Sequence, residues 1–130
     1  MSAWRRKAIE AAPDLRDCLE RAWSPMAAWI ELHLHFETVV KAGEMDKARR
    51  IMDHARDCMA SANRDITTAV ANAFIEHLAE DKSIRARLPE IMKAQDVQAW
   101  RVLMAYHSDE KTIADLEAAC REHRPRSKRS

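Results

Sequence analysis

The chain has 130 residues, enough for one domain that buries about 65–70% of its unfolded surface around a single core. One Gly and four Pro exclude a hairpin-rich β architecture, and strand-like alternation of β-branched or aromatic residues is missing, so composition predicts an all-α fold. The formal charge of +1 is uneven: residues 1–12 carry +2 and residues 121–130 carry +4, which leaves −5 on the body between them and favours a cationic protein partner over nucleic acid.

Arg5, Arg6 and Lys7 are followed by Glu10, Asp14 and Asp17 rather than by a continuous apolar segment. Neither a secretory signal nor a membrane span is therefore predicted, and a cytoplasmic location is expected. The three cysteines, Cys18, Cys58 and Cys120, are odd in number and sit at apolar helical positions, the pattern of reduced core thiols.

In chain order, Ser2 is placed to cap a short helix containing Trp4, Ala8 and Ala11, and Pro13 marks its end. Leu15, Cys18, Leu19, Ala22 and Trp23 then recur at helical spacing, closing at Ser24. From Ser24 the signals are strongest. A serine cap, Pro25 at the first helical position and Gly43 as the left-handed terminator predict a helix from Pro25 to about Ala42. Trp29, Leu32, Phe36, Val39 and Val40 form its apolar face and Ile30 and Leu34 a second strip, and a helix apolar on two sides is expected to be central.

Glu44 to Ser61 places Met45, Ala48, Ile51, Met52, Ala55, Cys58 and Met59 on one face, and the short connection predicts an antiparallel hairpin with the central helix. Asn63 caps a further helix, predicted to run to Glu80, with Ile66, Val70, Ala73, Phe74, His77 and Leu78 inward and Thr68, Asn72 and Glu76 outward. Asp81 to Leu88 reads as an irregular or short helical connector, and Pro89 starts a turn through Met92. Asp96 is expected to cap a helix carrying Val97, Trp100, Leu103, Met104 and His107, and Ser108 to begin the last, with Ile113, Leu116 and Cys120 as its stripe. The whole is a single antiparallel domain over residues 1–123 with about five to seven helices, and residues 124–130 form a basic tail expected to be disordered. Ile30-Glu31 and Ile75-Glu76 lie 45 residues apart, which allows helical-repeat packing, although only that dipeptide repeats.

Candidate chemistry is sparse. His33 and His35 lie about 200° apart on a helix and cannot chelate one ion together, whereas Glu31 with His35 and His33 with Glu37 share faces four residues apart. No carboxylate stands three residues before a histidine as a di-iron bundle requires, and one glycine cannot build a phosphate loop, so neither metal nor cofactor is expected. His77 reads as a core histidine, His54 as an edge neighbour of Cys58, and the cysteines lie on core stripes that raise a thiol pKa. No catalytic residue is assigned. The remaining candidates are acidic strips for docking a protein: Glu31 with His35, Asp53 with Asp57, and Glu76, Glu80 and Asp81.

Trp29-Ile30-Glu31-Leu32-His33 followed by Phe36-Glu37, Asp65-Ile66 leading to Ala73-Phe74-Ile75-Glu76-His77-Leu78, and Leu88-Pro89 resemble a small, uncharacterised all-helical bacterial family over residues 25–107. The chain departs from that family's pattern at Thr68, where an Asn is usual, and at Ile75, where an aromatic is. The resemblance implies an immunity-type protein that binds and neutralises a cognate toxin, for which the acidic body suits a basic toxin domain. A helical adaptor with a different protein partner is the alternative, and a small enzyme using His77 or His33 the third reading.

Overall fold

The computed structural model describes residues 1–123, and the expected disordered tail at 124–130 lies outside them. Among the described residues eight α-helices follow one another: α1 (Ala3–Ala11), α2 (Arg16–Arg21), α3 (Pro25–Lys41), α4 (Met45–Met59), α5 (Arg64–Ala73), α6 (Lys82–Arg85), α7 (Ala94–Met104) and α8 (Glu110–Glu122). Single 3₁₀ turns at Pro13–Leu15, Ile75–His77 and Leu88–Glu90 join some of them, and no strand occurs among the described residues. The all-α class is as expected. The count exceeds the sequence reading because the connector after Asp81 forms its own short helix, with the Asp81 carboxylate accepting from the backbone N–H of Ser83 and Ile84.

Local chemistry fixes α3 at both ends. Ser24 Oγ accepts from the Ala27 N–H at 3.1 Å, and Pro25 takes the first helical position. At the other end Gly43 adopts φ +77°, and its N–H and that of Glu44 close onto the carbonyls of Val40 and Val39 at 3.0 and 2.8 Å. That paired closure is a Schellman motif, and it turns the chain straight into α4 as an antiparallel partner. Trp29, Leu32, Phe36, Val39 and Val40 are buried as expected, and so are Ala48, Ile51, Met52, Ala55 and Cys58 across from them. The core built on these residues is continuous from Ala8 to Cys120.

α3 packs against α5, and the contact is aromatic. The Phe74 ring sits 4.9 Å from Phe36 in an edge-on arrangement that suits the aromatic quadrupoles, and 5.0 Å from Trp29 at a tilt of 43°. On the far side of Trp29, His54 stacks at 5.3 Å. His54 is itself buried rather than at the edge of its helix, since its ring lies against the Trp29 indole. Arg56 then ties α4 to the start of α7, donating to both Asp96 oxygens (Nε at 3.1 and 3.2 Å, Nη2 at 2.7 Å) and to the Ile91 carbonyl at 2.8 Å.

Several expectations are corrected. Ile30 and Leu34 do not form a second buried strip: they are 49% and 53% exposed, since the surrounding helices cover only one side of α3. Trp23 is exposed at the α2–α3 corner, where the chain is extended at Ala22 and no longer presents a helical face. The helix after Asn63 stops at Ala73, because Phe74 takes φ −127° and ψ −63°. That break sends Ile75, which the uninterrupted periodicity left out of the inward face, fully into the core. Asp96 does cap its helix, but from inside the first turn, its carboxylate accepting the Lys93 N–H at 2.9 Å. The last helix is capped by Asp109 rather than Ser108, the Asp109 carboxylate taking the Thr112 N–H at 2.7 Å.

Candidate functional site

The break at Phe74 also decides where the polar residues of that segment go. Once α5 ends, the 3₁₀ turn Ile75–His77 points Ile75 inward and sets Glu76 and His77 at the edge of the core, between α3 and the end of α7. From α3, His33 and Glu37 stand one turn apart on the same side, with Nε2 3.7 Å from a Glu37 oxygen, as their spacing predicts. From the turn that closes α7, His107 lays its ring on that of His77, with centroids 4.5 Å apart and planes 20° from parallel. The His33 ring is 5.7 Å from His77 and 6.1 Å from Phe74. Three histidines from three elements therefore run side by side from the aromatic core to the surface.

Carboxylates accompany each ring. Glu76 Oε1 lies 3.4 Å from His107 Nε2, and Glu80 pairs with His77 Nδ1. His33 is the most enclosed of the three, and its buried Nδ1 has no hydrogen-bond partner among the described residues. Burial holds the His33 imidazole below its ordinary 6.5; Glu37 and Glu80 oppose that effect and His77 adds to it. The interior end of the row is thus kept neutral, and the outer rings meet solvent and carboxylates. His77 was expected on the inward face as a core histidine. It pairs with the Glu80 carboxylate and stands half-buried, because the helix that would have carried it inward ends four residues earlier.

Alongside the row, Met26, Ile30, Leu34, Asn72 and Ala73 join His33 and His77 around an open depression of about 360 Å³. A larger hollow of about 1130 Å³ lies between α4, α7 and α8, bordered by Arg49, Arg56 and Arg121. Its arginines are already engaged, Arg49 with Asp46, Arg56 with Asp96 and Arg121 with Glu117, so its walls are ion-paired rather than available.

The predicted docking carboxylates are mostly dispersed. Glu76 and Glu80 meet in the histidine row. Glu31 faces α2 and raises the Cys18 thiol, while His35 reaches Asp14 at 4.0 Å rather than Glu31. Asp53 pairs with Arg56 at 2.6 Å, and with Asp57 it borders a groove shared with Lys7 and Glu10 of α1. Asp81 is spent on the α6 cap and on Lys41 at 3.3 Å. The convergence of His33, His77 and His107 was missed because these residues are 44 and 30 positions apart, and no local spacing rule joins them. Only the Glu76-His77 doublet hinted at it.

Burial pushes the Cys58 and Cys120 thiols up to about 11, and Cys18 is raised as well, chiefly by burial with Glu31 beside it. A thiol held protonated is a poor nucleophile, so the cysteines offer packing and not covalent chemistry.

The family model described as Domain of unknown function (DUF7674) matches residues 5–106. The chain belongs to this family. Within the DUF7674 match fall most of α1, all of α2 to α7 and the Glu76-His77 doublet, while His107 and α8 lie just beyond it. No curated protein and no solved structure matches the chain. Among the described residues no helix is long and apolar enough to cross a membrane.

Proposed function

We propose that this DUF7674 chain is a non-catalytic protein-binding domain whose partner docks on the open side of α3. The observation that carries the reading is the exposure of Ile30 and Leu34, about half of each side chain, on the helix whose other face anchors the core. With Met26 and Ala73 they make an apolar floor, and Glu37, Glu80 and the histidines make its polar rim. Apolar floors with acidic rims suit a partner that presents an apolar ridge flanked by basic groups.

In its finer form the proposal is an immunity-type protein that binds and neutralises a basic toxin domain. The −5 charge on residues 13–120 supports it by steering a cationic partner toward the body, with Glu31, His35, Asp53, Asp57, Glu76, Glu80 and Asp81 as outlying acidic and titratable groups. A helical adaptor, with the α3–α4 hairpin as a repeat-like unit, is the alternative on the same surface. Calorimetric titration with the product of the adjacent gene tests the proposal. Tight binding that is lost in Ile30→Asp/Leu34→Asp, with helical content unchanged, supports it; unchanged affinity in that variant overturns the docking surface. A tight partner that is no toxin selects the adaptor. Turnover that disappears in a folded His77→Gln protein would replace both readings with an enzyme.

A further inference from the structure

Glu76, His77 and His107 each bring a ligand-type atom to within 4.8 Å of the other two. The geometry points to a divalent transition-metal site built from these three side chains, zinc or cobalt by the chemistry of its donors. Two imidazoles and one carboxylate are a donor set that such borderline ions favour. The separation of Glu76 Oε1 and His107 Nε2, 3.4 Å, is also informative. Two ligands each about 2.0–2.1 Å from a tetrahedral ion stand roughly 3.3–3.4 Å apart, so this pair needs almost no rearrangement to share one.

The surroundings favour the same assignment. Glu80 engages His77 at Nδ1, and a carboxylate accepting that N–H leaves Nε2 with its lone pair for a metal. The His77 and His107 rings lie 4.5 Å apart and near-parallel, so both imidazoles are at hand, and one ring must turn about its Cβ–Cγ bond for both in-plane lone pairs to meet one ion. Glu76 is the most covered of the three, at 15% side-chain exposure, and His77 and His107 are 33% and 39% exposed. An ion can therefore enter from solvent and keep water in the fourth position. The ligands come from a rigid 3₁₀ turn and from the close of α7, so the ion would clamp the α5 end of the domain to the α7–α8 corner. Ile30 and Leu34 take no part, whereas His77 also borders the docking depression and Glu80 pairs with it, so the two sites adjoin.

The test uses the full chain with Co²⁺ and Zn²⁺ alone. Visible d–d absorption on adding Co²⁺ near pH 7.5, displaced by Zn²⁺ with a calorimetric stoichiometry of one, is the expected result. His107→Gln, a half-exposed position where folding is safe, and His77→Gln each abolish the absorption. Glu80→Gln weakens Zn²⁺ binding by roughly 10–100-fold, as loss of a carboxylate behind a ligating histidine does. His35→Gln, outside the cluster, leaves it unchanged. Absence of d–d bands overturns the assignment, as do bands that survive the His77→Gln/His107→Gln pair. So does intense near-ultraviolet thiolate-to-cobalt absorption, which would put the ion on a cysteine.

Discussion

Phe74 is the residue on which the fold and the histidine row both turn, and its truncation tests the account most severely. The ring is fully buried and touches Trp29, Phe36 and His33, with centroids at 5.0, 4.9 and 6.1 Å. Phe74→Ala removes a buried aromatic and leaves a cavity among rigid neighbours, a change that costs about 3–5 kcal/mol. For a domain of this size each kcal/mol moves the thermal midpoint by about 3–5 °C, so the variant should melt roughly 10–25 °C lower. Phe74→Leu separates volume from aromaticity. It keeps most of the apolar bulk and loses the ring–ring contacts, each of which contributes about 0.5–1.5 kcal/mol, so it should fall between the two proteins. Thermal and urea unfolding followed by circular dichroism reads both effects. A double-mutant cycle with Phe36→Ala should show coupling of at least about 0.5 kcal/mol, because the two rings are in contact. A Phe74→Ala midpoint within about 2 °C of wild type would refute the reasoning, since no other contact could absorb that loss.

Three further outcomes follow from the structure. Burial lowers the folded-state pKa of both His54 and His33 below 6.5, so each contributes stability that is present above that value and lost as pH falls through the folded pKa. The urea midpoint should therefore decline below about pH 6.5, and His54→Phe, which keeps a ring against Trp29 but cannot titrate, should flatten that decline; an unchanged profile would count against a titrating His54. Asp96→Ala should cost about 1–3 kcal/mol in urea unfolding, because it leaves Arg56 only Asp53 and the Ile91 carbonyl and uncaps the Lys93 N–H, whereas a loss under about 0.5 kcal/mol would mean the pair is only decorative. With a thiol reagent at neutral pH, half-buried Cys18 should react first and Cys58 and Cys120 slowly, and equal rates at all three would contradict their placement.

The sequence by itself determined what is written in adjacent residues. Ser24, Pro25 and Gly43 bracket α3 because a cap and a left-handed terminator act within one turn, and the inward faces of α3 and α4 follow from a 3.6-residue period that any partner must respect. Which apolar strip is covered was not determined there. Ile30 and Leu34 have the same character as buried residues, and they are exposed because, among the described residues, no other element covers that side of α3. The end of α5 was decided by tertiary packing as well, since no proline or glycine stops the pattern at Phe74. Placing both the Phe74 ring and Ile75 in the core against α3 requires a change of backbone direction that propensity does not foresee. The histidine row is the clearest case. His33, His77 and His107 reach one edge of the core through three separate elements, and a meeting of side chains so far apart along the chain is set by how helices stack, which no local period encodes.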